Sequence, residues 1–188
     1  MRTTREIARS RRLLALAWVL VLAWPALLSG QKAAKPEAEV KADFLKAFIS
    51  MTDWPTNTFA EANAPVVLGV LGADPILAPL RANPALPNGR PLRIKELASV
   101  EAAQGCHVLF VATASAKSLA DVAARLGDAP VLTVVELPAA ARNEGVIHLR
   151  KEMENEVMKF RYDVNNAAAQ RIKLKLNSKL LRLAKTIY

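Results

Sequence analysis

Apolar and polar positions change their period several times along this chain, and each change marks an element. From Glu37, the residues Val40, Phe44, Leu45, Phe48 and Met51 recur at helical spacing, with Glu39, Lys41, Asp43 and Lys46 between them. This predicts an amphipathic helix that ends before Trp54-Pro55, because a residue preceding proline is pushed out of the helical region. Residues 64–71 are apolar on both alternating faces and predict a buried strand, stopped by Gly72. Asp74 or its neighbour can cap a short helix through Ile76, Leu77 and Leu80, after which the prolines of 83–87 and the pair Asn88-Gly89 signal loop and turn. Residues 90–97 alternate basic and apolar side chains and predict an edge strand with one wet face.

Residues 106–111, Cys-His-Val-Leu-Phe-Val, are apolar at every position but one and form the candidate central strand. Ser115 then caps a helix with Leu119, Val122, Ala123 and Leu126 at helical spacing, and Gly127 ends it. Residues 129–135 are another strand apolar on both faces, so the pair is predicted to be parallel across a right-handed crossover. After Gly145 come a short strand at 146–149, a polar link at 150–155 and an alternating strand at 157–164. Met158, Phe160 and Tyr162 face one way in that strand and Lys159 and Arg161 the other, which predicts an antiparallel hairpin. Asn165 or Asn166 can cap a short helix through Ala168 and Ile172. Ser178 caps a last helix, with Leu180, Leu181, Leu183, Ala184 and Ile187 inward and Lys179, Arg182 and Lys185 outward. The expectation is a single α/β domain over residues 37–188: a mixed, mainly parallel sheet of about six strands, helices on both faces, and a C-terminal antiparallel hairpin.

The first thirty residues are a separate object. Residues 1–12 carry five arginines against Glu6, residues 13–28 are apolar apart from the break at Pro25, and Ser29-Gly30 follows, which describes an export signal cleaved near residue 30. An uncleaved anchor is the alternative, and membrane contact is then expected through this segment only. Gln31 stands where a lipoprotein signal needs cysteine, and Ser10-Arg11-Arg12-Leu13-Leu14 leaves a twin-arginine route open. Residues 31–36 read as a flexible polar segment. The rest of the 188-residue chain, 52% apolar and 23% charged overall, has the composition of a folded domain. Without residues 1–30 the formal charge of +9 falls to +5, since five basic residues and one acidic residue leave with them. Export argues against a nucleic-acid partner and for an anionic envelope surface or an acidic protein. A single cysteine allows no internal disulfide, so Cys106 is read as unpaired.

No catalytic constellation assembles in the sequence. Gly69 and Gly72 do not make a dinucleotide fingerprint, no P-loop lysine is present, and His107 and His148 fall in different strands without metal-ligand spacing. No enzyme, cofactor or metal is therefore expected. Cys106 and His107 are neighbours on a strand and point to opposite faces, so they cannot act as a nucleophile-base pair, and His107 reads as a hydrogen-bonded core residue. What is left for function is a surface. Gly72 and Thr113 would lie at the carboxyl ends of the parallel strands, where open α/β sheets bind ligands. Trp54 is either a corner packing residue or a ligand platform. Arg171, Lys175 and Lys179, with Lys173, Arg182 and Lys185, are either the solvated side of the last elements or a partner surface.

Several stretches, taken in order, resemble the YfiR-like family of exported bacterial proteins. They are Phe44-Leu45-Lys46-Ala47-Phe48 running to Trp54-Pro55, Val70-Leu71-Gly72 with Asp74-Pro75, Asn88-Gly89-Arg90-Pro91-Leu92, residues 105–111 and residues 130–134. Gly145-Val146-Ile147, residues 159–165 and residues 176–184 close the pattern, which covers nearly all of residues 40–185. The resemblance implies a periplasmic, often dimeric regulator. The best-known members bind the periplasmic sensor domain of a membrane diguanylate cyclase and repress it, and the resemblance implies that role here, lowering cyclic-di-GMP. Family members under redox control carry paired cysteines, and this chain, with Cys106 alone, departs from them. The alternative reading is a periplasmic small-ligand or cell-wall binding module without a cyclase partner.

Overall fold

Pro36, with its fixed backbone, opens the first helix, α1 (Glu37–Ser50), and Glu37 and Glu39 place negative charge in the first turn, where the helix dipole favours it. The computed structural model describes residues 35–61, 63–112, 119–136, 145–155 and 157–188, of which Pro36–Tyr188 form one compact unit. The export signal at 1–30, the helix cap expected at Ser115 and the candidate residue Thr113 lie outside the described residues.

The sheet is mixed and mainly parallel. Its strands are β2 (Val66–Leu71), β3 (Leu92–Leu97), β4 (Val108–Val111), β5 (Leu132–Glu136), β6 (Ile147–Glu154), β7 (Val157–Val164) and β9 (Thr186–Ile187), in the order β3-β2-β4-β5-β6-β7-β9. Only the β6–β7 pair is antiparallel. A separate two-stranded piece pairs β1 (Thr52–Asp53) with β8 (Lys175–Leu176), Asp53 standing opposite Lys175. Helices α2 (Leu77–Ala82), α3 (Leu119–Leu126), α4 (Asn166–Arg171) and α5 (Ser178–Leu183) complete the unit.

Strand alternation divides the core in two. Leu68, Val70, Val108, Phe110, Leu132 and Val134 join Leu45, Phe48 and Leu80 of α1 and α2 on one face. Leu71, Leu109, Val111 and Val135 join Val122 of α3 on the other. This is the two-faced burial expected of parallel strands that read as continuous apolar runs.

The structure corrects the sequence reading at several points. Run 106–111 is interior, but β5 takes the middle position of the seven strands. The polar stretch 150–154 continues β6, because each of its residues pairs with β7 up to Glu154 opposite Val157, so the first arm of the hairpin is twice as long as the apolar pattern alone suggests, while the second spans 157–164 as expected. Asn177, not Ser178, caps α5, its side chain accepting from Lys179 N at 2.8 Å. Ile187 leaves the helix to become β9, which adds the seventh strand and leaves Ile187 half exposed. Leu183, Met158 and Ala123 are exposed. The largest change concerns α1: Leu45 and Phe48 of the expected stripe are buried and Val40, Phe44 and Met51 pack partly buried against the same core, but Lys41, Ala42, Lys46 and Ile49 are buried too, so two lysines expected in water are inside.

Candidate functional site

Strand order reverses between β2 and β4, and the carboxyl ends of these strands are where an open α/β sheet leaves a ligand crevice. Gly72 follows β2 in left-handed backbone (φ +88), and Asp74 beyond it accepts from Ile76 N at 2.9 Å. Into this space α1 delivers Lys41, which is only 4% exposed. Its Nζ lies 2.9 Å from Glu136 Oε2 at the end of β5, 3.1 Å from Asp74 Oδ2, and 5.9 Å from the centre of the Phe110 ring. Lys151, which also pairs with Glu37, stands 3.7 Å from Glu136 Oε1.

Burial alone would lower the pKa of the Lys41 ammonium, but hydrogen bonds and charge from Glu136, then Asp74, outweigh it and raise the pKa above the ordinary value of 10.5. An amine held protonated between two carboxylates has no lone pair for nucleophilic or base chemistry. It acts as a tie that joins α1 to the ends of two strands. The signal for it was present in the sequence: Lys41 precedes Leu45 by four residues and Phe48 by seven, which places it on their stripe.

Trp54 takes part in a different site. Its ring stands edge-on to Phe59 at 5.8 Å, Phe59 packs on His107 at 4.5 Å, and the Arg90 guanidinium covers Phe59 at 3.7 Å. A cavity of about 530 Å³ opens here, lined by Trp54, Phe59, Asp53, Glu61, Arg90 and Val66 among others. Trp54 Nε1 and Thr58 Oγ1 are buried without hydrogen-bond partners among the described residues. Because Val66 begins β2 and Gly72 follows its last residue, Trp54 and Gly72 lie at opposite ends of that strand, about 20 Å apart. They do not share a site.

His107 Nδ1 accepts from Val67 N at 2.9 Å. Burial and the nearby Arg90 charge lower its pKa below 6.5, against a weaker opposing hydrogen bond to the Thr58 backbone. Its protonation is thus favoured in the unfolded chain, and the stability it contributes is present above pH 6.5 and lost as pH falls below it. An NMR titration of the His107 ring should give a midpoint below 6.5, and a midpoint at or above that value would contradict this account.

Cys106 points to the other face, among Leu109, Val111 and Val135, and is 4% exposed. Gly69 on β2 makes room for it, since a Cβ there would lie 2.9 Å from the Cys106 sulfur and 2.6 Å from Leu97 Cδ1. Burial raises the thiol pKa despite the charge of Lys95. Labelling of Cys106 by a maleimide should therefore be slow in the native protein and fast in urea; equal rates would show an accessible thiol.

The basic candidates end up on the last elements of the chain. Arg171 closes α4 and borders a second cavity, of about 410 Å³, together with Val122, Leu126 and Ala168. Lys175 lies in β8 and Lys179 in the first turn of α5, both exposed. The structure thus places Lys175 beside Asp53, one residue from Trp54, and leaves Gly72 apart from both.

Residues 38–185 match a protein-family model described as YfiR/HmsC-like, which covers nearly the whole described unit. No curated protein matches the chain.

Proposed function

Because the chain belongs to the YfiR/HmsC-like family, we propose that it is an exported, periplasmic regulatory protein that binds the periplasmic sensor domain of a membrane diguanylate cyclase and holds the enzyme inactive. The family match over residues 38–185 carries this reading, and the signal-like pattern of residues 1–30 supports it. A repressor of this kind performs no chemistry. It needs only to bind the inactive form of its partner more tightly than the active form, by about 5.5 kcal/mol to carry the population from nearly all active to nearly all inactive. The test is capture of the sensor domain of a cyclase encoded beside this gene, together with cyclic-di-GMP levels in a deletion strain. Capture and a rise in cyclic-di-GMP support the reading; no capture and unchanged levels overturn it.

A second reading, a small-ligand module, is favoured by one observation: the cavity beside Trp54, where the Trp54 Nε1 donor and the Thr58 hydroxyl are buried without partners among the described residues. A ligand bound there would raise the melting temperature in the absence of any protein partner.

A further inference from the structure

Charge is distributed very unevenly along the chain. Residues 31–164 carry 15 basic and 16 acidic residues, whereas residues 165–188 carry six basic residues and no acidic one, so the last elements hold the whole positive excess. Arg171, Lys173, Lys175, Lys179 and Arg182 are all exposed and form no ion pair among the described residues; the sixth, Lys185, pairs with Glu152 at 3.1 Å. Asp53, opposite Lys175 in the β1–β8 pair, makes no ion pair with it.

These side chains are exposed along one continuous stretch of chain, from the end of α4 through β8 to α5. Arg171, Lys173 and Lys175 alternate with Ile172 and Leu174, which are buried. In α5, Lys179, Arg182 and Leu183 follow the i, i+3, i+4 spacing and are exposed, Leu183 by 59%, while Leu180 of the same helix is fully buried. Among the hydrogen bonds that hold the segment in place, Asn177 N donates to Met51 O at 2.9 Å, Tyr162 Oη donates to Leu180 O at 2.8 Å and Lys185 N donates to Tyr162 O at 2.8 Å.

We infer that this C-terminal basic face docks on an anionic phospholipid surface. A helix that sets exposed leucine beside unpaired cations is the arrangement that settles at headgroup depth, with apolar contact added to attraction for anionic lipid. Three of the five unpaired cations are lysines, point charges suited to a plane of phosphates, whereas recognition of protein carboxylates favours the fixed fork of arginine. The inference is independent of the cyclase reading.

The test uses the chain from residue 31 onward, whose described part is a compact unit, so that the apolar leader cannot itself drive binding. The protein should sediment with vesicles of phosphatidylcholine and phosphatidylglycerol, not with phosphatidylcholine alone, and salt of about 1 M, where screening reaches within about 3 Å, should release it. Each charge removed should weaken binding about fivefold, so Lys175→Gln, Lys179→Gln and Arg182→Gln together should weaken it on the order of 100-fold. Arg93→Gln with Lys95→Gln, on the far sheet edge β3, should leave it unchanged, and circular dichroism checks that each variant is folded. Equal binding to neutral vesicles, no binding to anionic ones, or retention by an acidic protein alone would each overturn the inference.

Discussion

Replacing Lys41 by methionine is expected to destabilise the protein by about 3–5 kcal/mol, seen as a fall in the urea midpoint. Methionine keeps most of the side-chain volume and the helix propensity, so the loss measures charge rather than packing. It strands Glu136 and Asp74, both nearly buried, without the ammonium they share at 2.9 and 3.1 Å. Lys151, at 3.7 Å from Glu136, offsets part of the loss on that side only. Adding Asp74→Asn and Glu136→Gln to Lys41→Met should recover much of the stability, because a neutral site carries no uncompensated charge. A cost for the single change below about 1 kcal/mol would mean that the cluster is solvated.

The same group sets a pH dependence. The folded pKa of Lys41 is raised above 10.5, so its contribution is fully present below pH 10.5 and disappears as pH rises through the folded value. That part of the alkaline loss should be missing in Lys41→Met.

Lys41 shows where sequence reasoning reaches its limit. The alternation of 64–71, 106–111 and 129–135 made the parallel core legible, because strands apolar on both faces have no other stable placement. The period-2 pattern of 157–164 likewise made the hairpin legible. For α1 the period and the apolar stripe are legible, but the buried face is wider than the stripe, because a lysine in the pattern reads as exposed. A lysine buried with two carboxylates is rare, and its partners, 33 and 95 residues away, have no local signature. The short pair β1–β8 and strand β9 could not be read either, since two residues carry no period and their pairing depends on the tertiary approach of distant segments. Of the candidate residues, the basic ones were found by composition alone. Their lack of partners became visible only when the positions of the acidic residues were known.

Phe48→Ala is the other large effect, expected at about 3–5 kcal/mol. Phe48 is 1% exposed and meets Tyr162 edge-on at 4.8 Å and Phe44 at 5.8 Å. Tyr162 in turn donates to Leu180 O, so Phe48 supports the residue that holds α5, and its own carbonyl accepts from Thr52 Oγ1 at 2.8 Å beside the β1–β8 pair. Tyr162→Phe should cost about 1 kcal/mol by itself, and the double variant should show a coupling of about 0.5–1.5 kcal/mol for the ring pair. The loss should also be uneven. Hydrogen exchange at the amides of 175–183, above all Asn177, should accelerate by more than that of the β2 and β4 amides, since the C-terminal seam rests on fewer contacts than the sheet centre. Uniform acceleration would show that Phe48 supports the core as a whole. Local acceleration, with weaker binding to anionic vesicles, would show that the basic face depends on the rigidity that α1 gives it.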